Sequence, residues 1–138
     1  MLVLDQLVEG QSLETFTNEP ITVEQLKQYA QASGDLNPIH TDENVAKSVG
    51  LPSTIAHGML IMGQLGRYVN QIAGGNATVK NFNMRFGAMT FPNEQITCSA
   101  VVESVSAIEA TINVYASKGE NQIVGNGQAV LVFKGEEA

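Results

Sequence analysis

Residues 57–72 hold Met59, Leu60, Ile61 and Met62 in one run, followed by Leu65, Val69 and Ile72 at helical spacing. Beyond Gly74-Gly75-Asn76 the apolar period changes from that of a helix to that of a strand. Phe82, Met84, Phe86 and Ala88 alternate with polar or small neighbours, as do Ile96, Cys98, Ala100 and Val102. Ile108, Ala110, Ile112, Val114 and Ala116 repeat the pattern, and Ile123, Gly125, Gly127, Ala129, Leu131 and Phe133 close it. Turn signals separate these runs at Pro92-Asn93, Ser104 to Ser106 and Lys118-Gly119-Glu120-Asn121. Four antiparallel strands with one apolar face each need a cover. The helix at 57–72 is the only element apolar enough to supply it. The predicted class is α+β, a curved antiparallel sheet wrapped round a central helix. Gly58, Gly63 and Gly66 weaken that helix and imply a backbone or ligand close by, and Gly125 and Gly127 suit a bend in the last strand.

Upstream, residues 22–32 form a first helix, with Thr22 as N-cap, Gln25 at capping-box spacing and Gly34 as the stop. Val23, Leu26, Tyr29 and Ala30 make its apolar face. Pro38 keeps Asn37 out of helical geometry, so residues 35–40 form a fixed loop. Asp42 or Thr41 then caps a short helix ending at Ser48. At 138 residues the chain reads as one domain, residues 1–138. Seven basic against fourteen acidic residues give a net charge of −7, which argues against nucleic acid as a partner. The single Cys98 permits no internal disulfide and fits a reducing compartment. Met1 to Leu4 lacks a basic flank and is cut short by Asp5, so no signal peptide is read and a cytoplasmic location is expected. Residues 48–66 carry no Asp, Glu, Lys or Arg, but their periodic part is shorter than the ~20 apolar residues of a membrane span, and no membrane association is expected.

The chemistry-bearing residues lie where the helical and strand patterns are absent. Asp35 and His40, five positions apart, can act as a general acid/base pair. The same residues also suit a purely structural loop in which Asp35 accepts backbone N–H groups. Asn37 is a candidate substrate contact and equally a turn former. His57 is a candidate contact, a cap or the filling of a polar gap. Gly58, at the start of the apolar helix, offers a backbone N–H with no helical partner, aided by the helix dipole. Asp35, His40, Asp42, Glu43 and His57 are all possible metal ligands, but no HExxH or CxxC spacing is present, and no metal is expected. Serine-hydrolase, P-loop and dinucleotide fingerprints are missing from the sequence. Cys98 falls on the apolar register of its strand and reads as core.

Asp35-Leu36-Asn37-Pro38-Ile39-His40 followed by Ala56-His57-Gly58-Met59-Leu60 closely resembles the hydratase-2 motif of MaoC-like (R)-specific enoyl-thioester hydratases and dehydratases. The similarity is nearest to (3R)-hydroxyacyl-acyl carrier protein dehydratase subunits and covers nearly the whole chain. It implies the hot-dog fold, Asp35 and His40 as the catalytic dyad, and Gly58 as the donor that polarises the thioester carbonyl. It implies reversible hydration of trans-2-enoyl thioesters of CoA or acyl carrier protein, in fatty-acid metabolism and without a cofactor. It further implies a homodimer with sites at the interface, some relatives pairing with a non-identical subunit instead. Met59, Met62, Gly63 and Gly66 are the residues expected beside the acyl chain.

The pattern departs from the family at two positions. Gly66 stands where some hydratases carry serine, and Asn93-Glu94 stands where the family has a Gly-Asp turn. Two other functions fit the same fold: a hot-dog thioesterase, and a non-catalytic acyl-binding or stabilising subunit. Arg67, Lys80 and Arg85 are possible phosphate contacts and equally solvated charges.

Overall fold

Thr22 starts the first helix by accepting the Gln25 N–H at 3.0 Å, and α1 (Val23–Ser33) stops at Gly34, whose φ of +79° suits glycine. Asp42, rather than Thr41, caps α2 (Glu43–Ser48) by accepting the Asn44 and Val45 N–H groups. The central helix, α3, spans Gly58–Ala73. This computed structural model describes residues 1–134, so the last four positions of the expected domain lie outside the described residues.

The strands are β1 (Phe16–Thr17), β2 (Ala77–Phe82), β3 (Arg85–Phe86), β4 (Thr97–Val105), β5 (Glu109–Lys118) and β6 (Gln122–Phe133). They form one antiparallel sheet in the order β1-β4-β5-β6-β2, with β3 also pairing to β6. Its inner face buries Cys98, Ala100 and Val102 of β4, Ala110, Ile112, Val114 and Ala116 of β5, and Ala129, Leu131 and Phe133 of β6. These pack in one cluster with Ile61, Leu65, Tyr68, Val69 and Ile72 of α3. Alanine recurs on that inner face, and short side chains there let the helix lie close against the sheet. The curled sheet with its helix is the hot-dog fold.

Several expectations are corrected. The run 82–88 is not one strand. Asn83 leaves the plane and grips Gln128, its N–H donating to the Gln128 carbonyl at 3.0 Å and its Oδ1 accepting the Gln128 N–H at 3.2 Å. Gly127 and Gly125 are therefore not simple bend residues. A Cβ on Gly127 would collide with the Asn83 carbonyl, and one on Gly125 with the Met84 side chain. In β6 the register steps from Ala116↔Gly125 to Ser117↔Ile123, so Val124 is an extra residue. That bulge turns Val124 inward and Ile123 out, against simple alternation. Ile108 precedes β5 and is exposed, as is Val23 in the first turn of α1. Nor is α3 buried on most sides: Met59 is 57% exposed, and Gly63, Arg67, Asn70 and Gln71 face outward with it. Of its glycines, Gly58 lies against Phe86 and Gly66 against Phe82, while Gly63 has no close neighbour. Strand β1 has no sequence signal, because two residues hold no period.

Leu65 is fully buried where α3 meets the sheet. Leu65→Ala should lower unfolding stability by about 2–5 kcal/mol, read as a lower urea midpoint at unchanged slope.

Candidate active site

The loop between α1 and α2 is built by its own short polar side chains. Ser33 Oγ accepts the Asp35 N–H at 3.2 Å, Asp35 Oδ1 accepts the Asn37 N–H at 3.3 Å, and Asn37 Oδ1 accepts the Ile39 N–H at 3.2 Å. Pro38–His40 then makes one 3-10 turn. The Asn37 side chain caps that turn and is not among the residues lining the cavities around Gly58. Asp35 keeps its second oxygen free of the loop, with the side chain 54% exposed.

His40 is held from behind. Its Nδ1 lies 2.8 Å from the Ile55 carbonyl, which only accepts, so Nδ1 carries the proton and Nε2 the lone pair of the neutral ring. That Nε2 faces Asp35 Oδ2 at 3.9 Å. The separation is too long for a direct hydrogen bond, yet one water oxygen placed beside the pair lies within bonding distance of both.

His57 occupies the N-cap position of α3 but makes no side-chain cap. Its ring instead stacks on His40 with centroids 3.7 Å apart and meets Tyr29 at 4.8 Å. Its Nε2 donates to the Asp35 carbonyl at 3.2 Å, tying the loop to the helix. Burial pushes the His57 pKa down, outweighing the opposing pull of that carbonyl, so the ring is neutral at pH 7. Its Nδ1 is buried without a partner among the described residues.

Gly58 completes the group. Leu60 and Ile61 are the first α3 residues to donate back, both to the His57 carbonyl. Among the described residues the Gly58 N–H has no protein acceptor, as the first turn of a helix requires. Two cavities meet at Gly58 and Phe86. One of about 530 Å³ is lined by Tyr29, Asp35 and His57, and one of about 190 Å³ by His40, Ile55 and Thr90. A larger groove of about 670 Å³ runs along α3 and brings together Met59, Met62, Gly63 and Gly66, with Phe82 opposite.

Asp35, His40 and His57 each place a ligand-type atom within 4.8 Å of the others. The two imidazoles are nearly parallel, 21° apart. An ion bound by both would sit well out of each ring plane, away from the lone pairs that zinc or iron requires. The trio fits proton transfer better than metal binding. Cys98 is buried, and burial pushes its thiol up to about 11, so it is protonated and inert at neutral pH.

The sequence reading missed the second wall of the site. Lys118 is buried and donates to the Met89 carbonyl at 2.5 Å and to Glu94 Oε1 at 2.8 Å. Thr90 in turn accepts the Ala56 N–H at 2.8 Å, so the 89–94 segment is clamped against the approach to His57 and Gly58. The alternation Ile112, Val114, Ala116 carried one step further would have placed Lys118 inward. The Ile55 carbonyl had no sequence signal. Lys80, for its part, is paired with Glu109 at 2.9 Å, and Arg67 lies over the Phe16 ring.

Sheet, helix and loop together define a hot-dog protein with a carboxylate and an imidazole facing each other beside a helix N-terminus. Residues 6–123 match the profile of the MaoC like domain, and the chain belongs to that family. The fatty acid synthase beta subunit TOXC of Cochliobolus carbonum is 34% identical over 78% of this chain, which spans 6% of that protein's length. The peroxisomal enoyl-CoA hydratase 2 of Arabidopsis thaliana is 32% identical over 75% of this chain and 36% of its own length. The chain thus spans well under two thirds of these relatives. The R-hydratase PhaJ1 of Pseudomonas aeruginosa shares the fold with a TM-score of 0.85 at 21% identity, covering 96% of this chain and 86% of the other.

Because His57 resists protonation in the folded state, the unfolded chain binds the extra proton in acid. Stability should be complete above the ordinary imidazole range and decline as pH falls through it. Thermal unfolding followed from about pH 7.5 to about pH 5 should show falling Tm, with a shallower decline in His57→Gln.

Proposed function

We propose that this protein hydrates trans-2-enoyl thioesters to (3R)-3-hydroxyacyl thioesters, and dehydrates them in reverse, without a cofactor. The observation that carries the reading is the 3.9 Å gap between Asp35 Oδ2 and His40 Nε2, which suits one shared water. In the forward direction the water oxygen bonds to C3 while one member of the pair takes its proton. The C2–C3 π electrons move toward the carbonyl, and a proton is then delivered to C2 by the pair. The developing enolate charge collects on the thioester oxygen, which the Gly58 N–H and the α3 dipole stabilise. The reverse reaction removes the C2 proton and expels the C3 hydroxyl as water.

Support for this substrate class comes from the family, from relatives named for enoyl-CoA hydration and fatty-acid synthesis, and from the groove beside α3. Met59, Met62, Gly63 and Gly66 line the path proposed for the acyl chain. His57 acts by positioning, since it holds the Asp35 carbonyl and stacks on His40. A second copy of the chain, or a non-identical subunit, is proposed to complete the site, and exposed Met59 and Met89 offer it apolar surface. No helix among the described residues is long and apolar enough to cross a membrane, and action on dissolved CoA or carrier-protein thioesters is the matching proposal.

The test is loss of enoyl-thioester absorbance on mixing protein with crotonyl-CoA, followed by chiral analysis of the product. Rapid formation of the (3R) product is expected. Asp35→Asn and His40→Gln should each lower turnover by about 10²–10⁴-fold while leaving the unfolding transition in place. Near-normal turnover in either folded variant would remove the dyad assignment, whereas release of free thiol would indicate a thioesterase.

A further inference from the structure

Among the described residues, Phe86 is the one large side chain that lines both cavities at Gly58. It lines the cavity beside Asp35 and the cavity beside His40. Its ring lies over Gly58: a Cβ built there would come within 2.9 Å of Cε1 and 3.1 Å of Cδ1. Phe86 walls both cavities that open at Gly58, so a thioester whose oxygen reaches the Gly58 N–H through either of them has the ring as a neighbour. Yet Phe86 is 53% exposed, an unusual position for an aromatic side chain. It stands on β3, which has only two residues and pairs through Arg85↔Asn126 and Phe86↔Gly125. Little packing therefore commits the ring to the core. The next residue is fixed: the Gly87 N–H donates to Val124 O at 2.9 Å, and a Cβ there would meet the Ile123 carbonyl. The backbone is thus pinned while the ring stands against Gly58.

We propose that Phe86 is a specificity-determining residue that bounds the space over Gly58 and rejects thioesters carrying a substituent at C2. This rests on the hydration reading above and deepens it, by naming the unbranched 2-enoyl thioester as the accepted class. An unsubstituted C2 presents a flat edge to the ring. A methyl at C2 projects from the same plane into the volume the ring fills or sweeps, and a tight pocket discriminates a single carbon by about tenfold or more.

The experiment compares kcat/KM for crotonyl-CoA and for its 2-methyl homologue, in the unmodified protein and in Phe86→Ala. The expected result is a selectivity ratio shifted at least about tenfold toward the branched thioester in the variant, mainly through its own kcat/KM. Phe86→Leu should shift the ratio in the same direction by less. A parallel fall on both substrates, with the ratio unchanged, would overturn the proposal and make Phe86 a packing residue. Loss of the folded state in both variants would overturn it equally. If the unmodified protein is folded and hydrates neither thioester, the hydration reading itself fails and this inference fails with it. The crotonyl-CoA control separates the two failures.

Discussion

Burial of one face of α3 in the concave sheet is the interaction on which the remaining structure depends. Ile61, Leu65, Tyr68, Val69 and Ile72 are buried there in one cluster with the inner face of the sheet. Each fully buried side chain of this kind contributes about 1.5–3 kcal/mol, so their sum holds the helix at one depth and one rotation. The rotation matters chemically. With that face inward, Met59, Gly63, Arg67 and Asn70 line the outer groove, and the free N–H of Gly58 is carried to the end of the helix where the loop from α1 arrives.

The loop is held there by contacts that each fix one chemical property. The Ile55 carbonyl determines which His40 nitrogen keeps its lone pair, and the stack on His57 determines the plane of the ring. His57 serves this purpose because it is buried and neutral: a charged ring stacked on His40 would oppose any proton His40 took up. Asp35 divides its two oxygens, one building the turn through Asn37 and the other facing His40. The structural and chemical readings of Asp35 are therefore compatible. On the opposite wall Lys118 and Glu94 do for the 89–94 segment what hydrogen bonds do for the loop.

Much of this was legible before any coordinates. Thr22, Gly34, Asp42 and Pro38 place helix and loop boundaries through local backbone chemistry, which travels with the residue. The alternation in β4 and β5 reported the buried face correctly over Cys98 to Val102 and Ala110 to Ala116. The errors fall where a distant chain intrudes. Asn83 breaks one expected strand because it bonds Gln128, forty-five positions away. The Val124 bulge reverses Ile123 because β5 and β6 differ by one residue near their turn. Lys118, Ile55 and Phe86 went unread as site residues because each acts through a partner remote in sequence.

By itself, the sequence determined the three helices, the strands β4 to β6, the turns between them and the two segments that carry Asp35, His40 and Gly58. Those properties follow from periodicity, capping and backbone preference, all of which are local. Tertiary structure alone decided the gap between Asp35 and His40, the neutral buried state of His57, the open face of α3 and the seat of Phe86 over Gly58. Each of those depends on how closely two distant stretches of chain approach, and that distance is set by the depth at which α3 packs into the sheet.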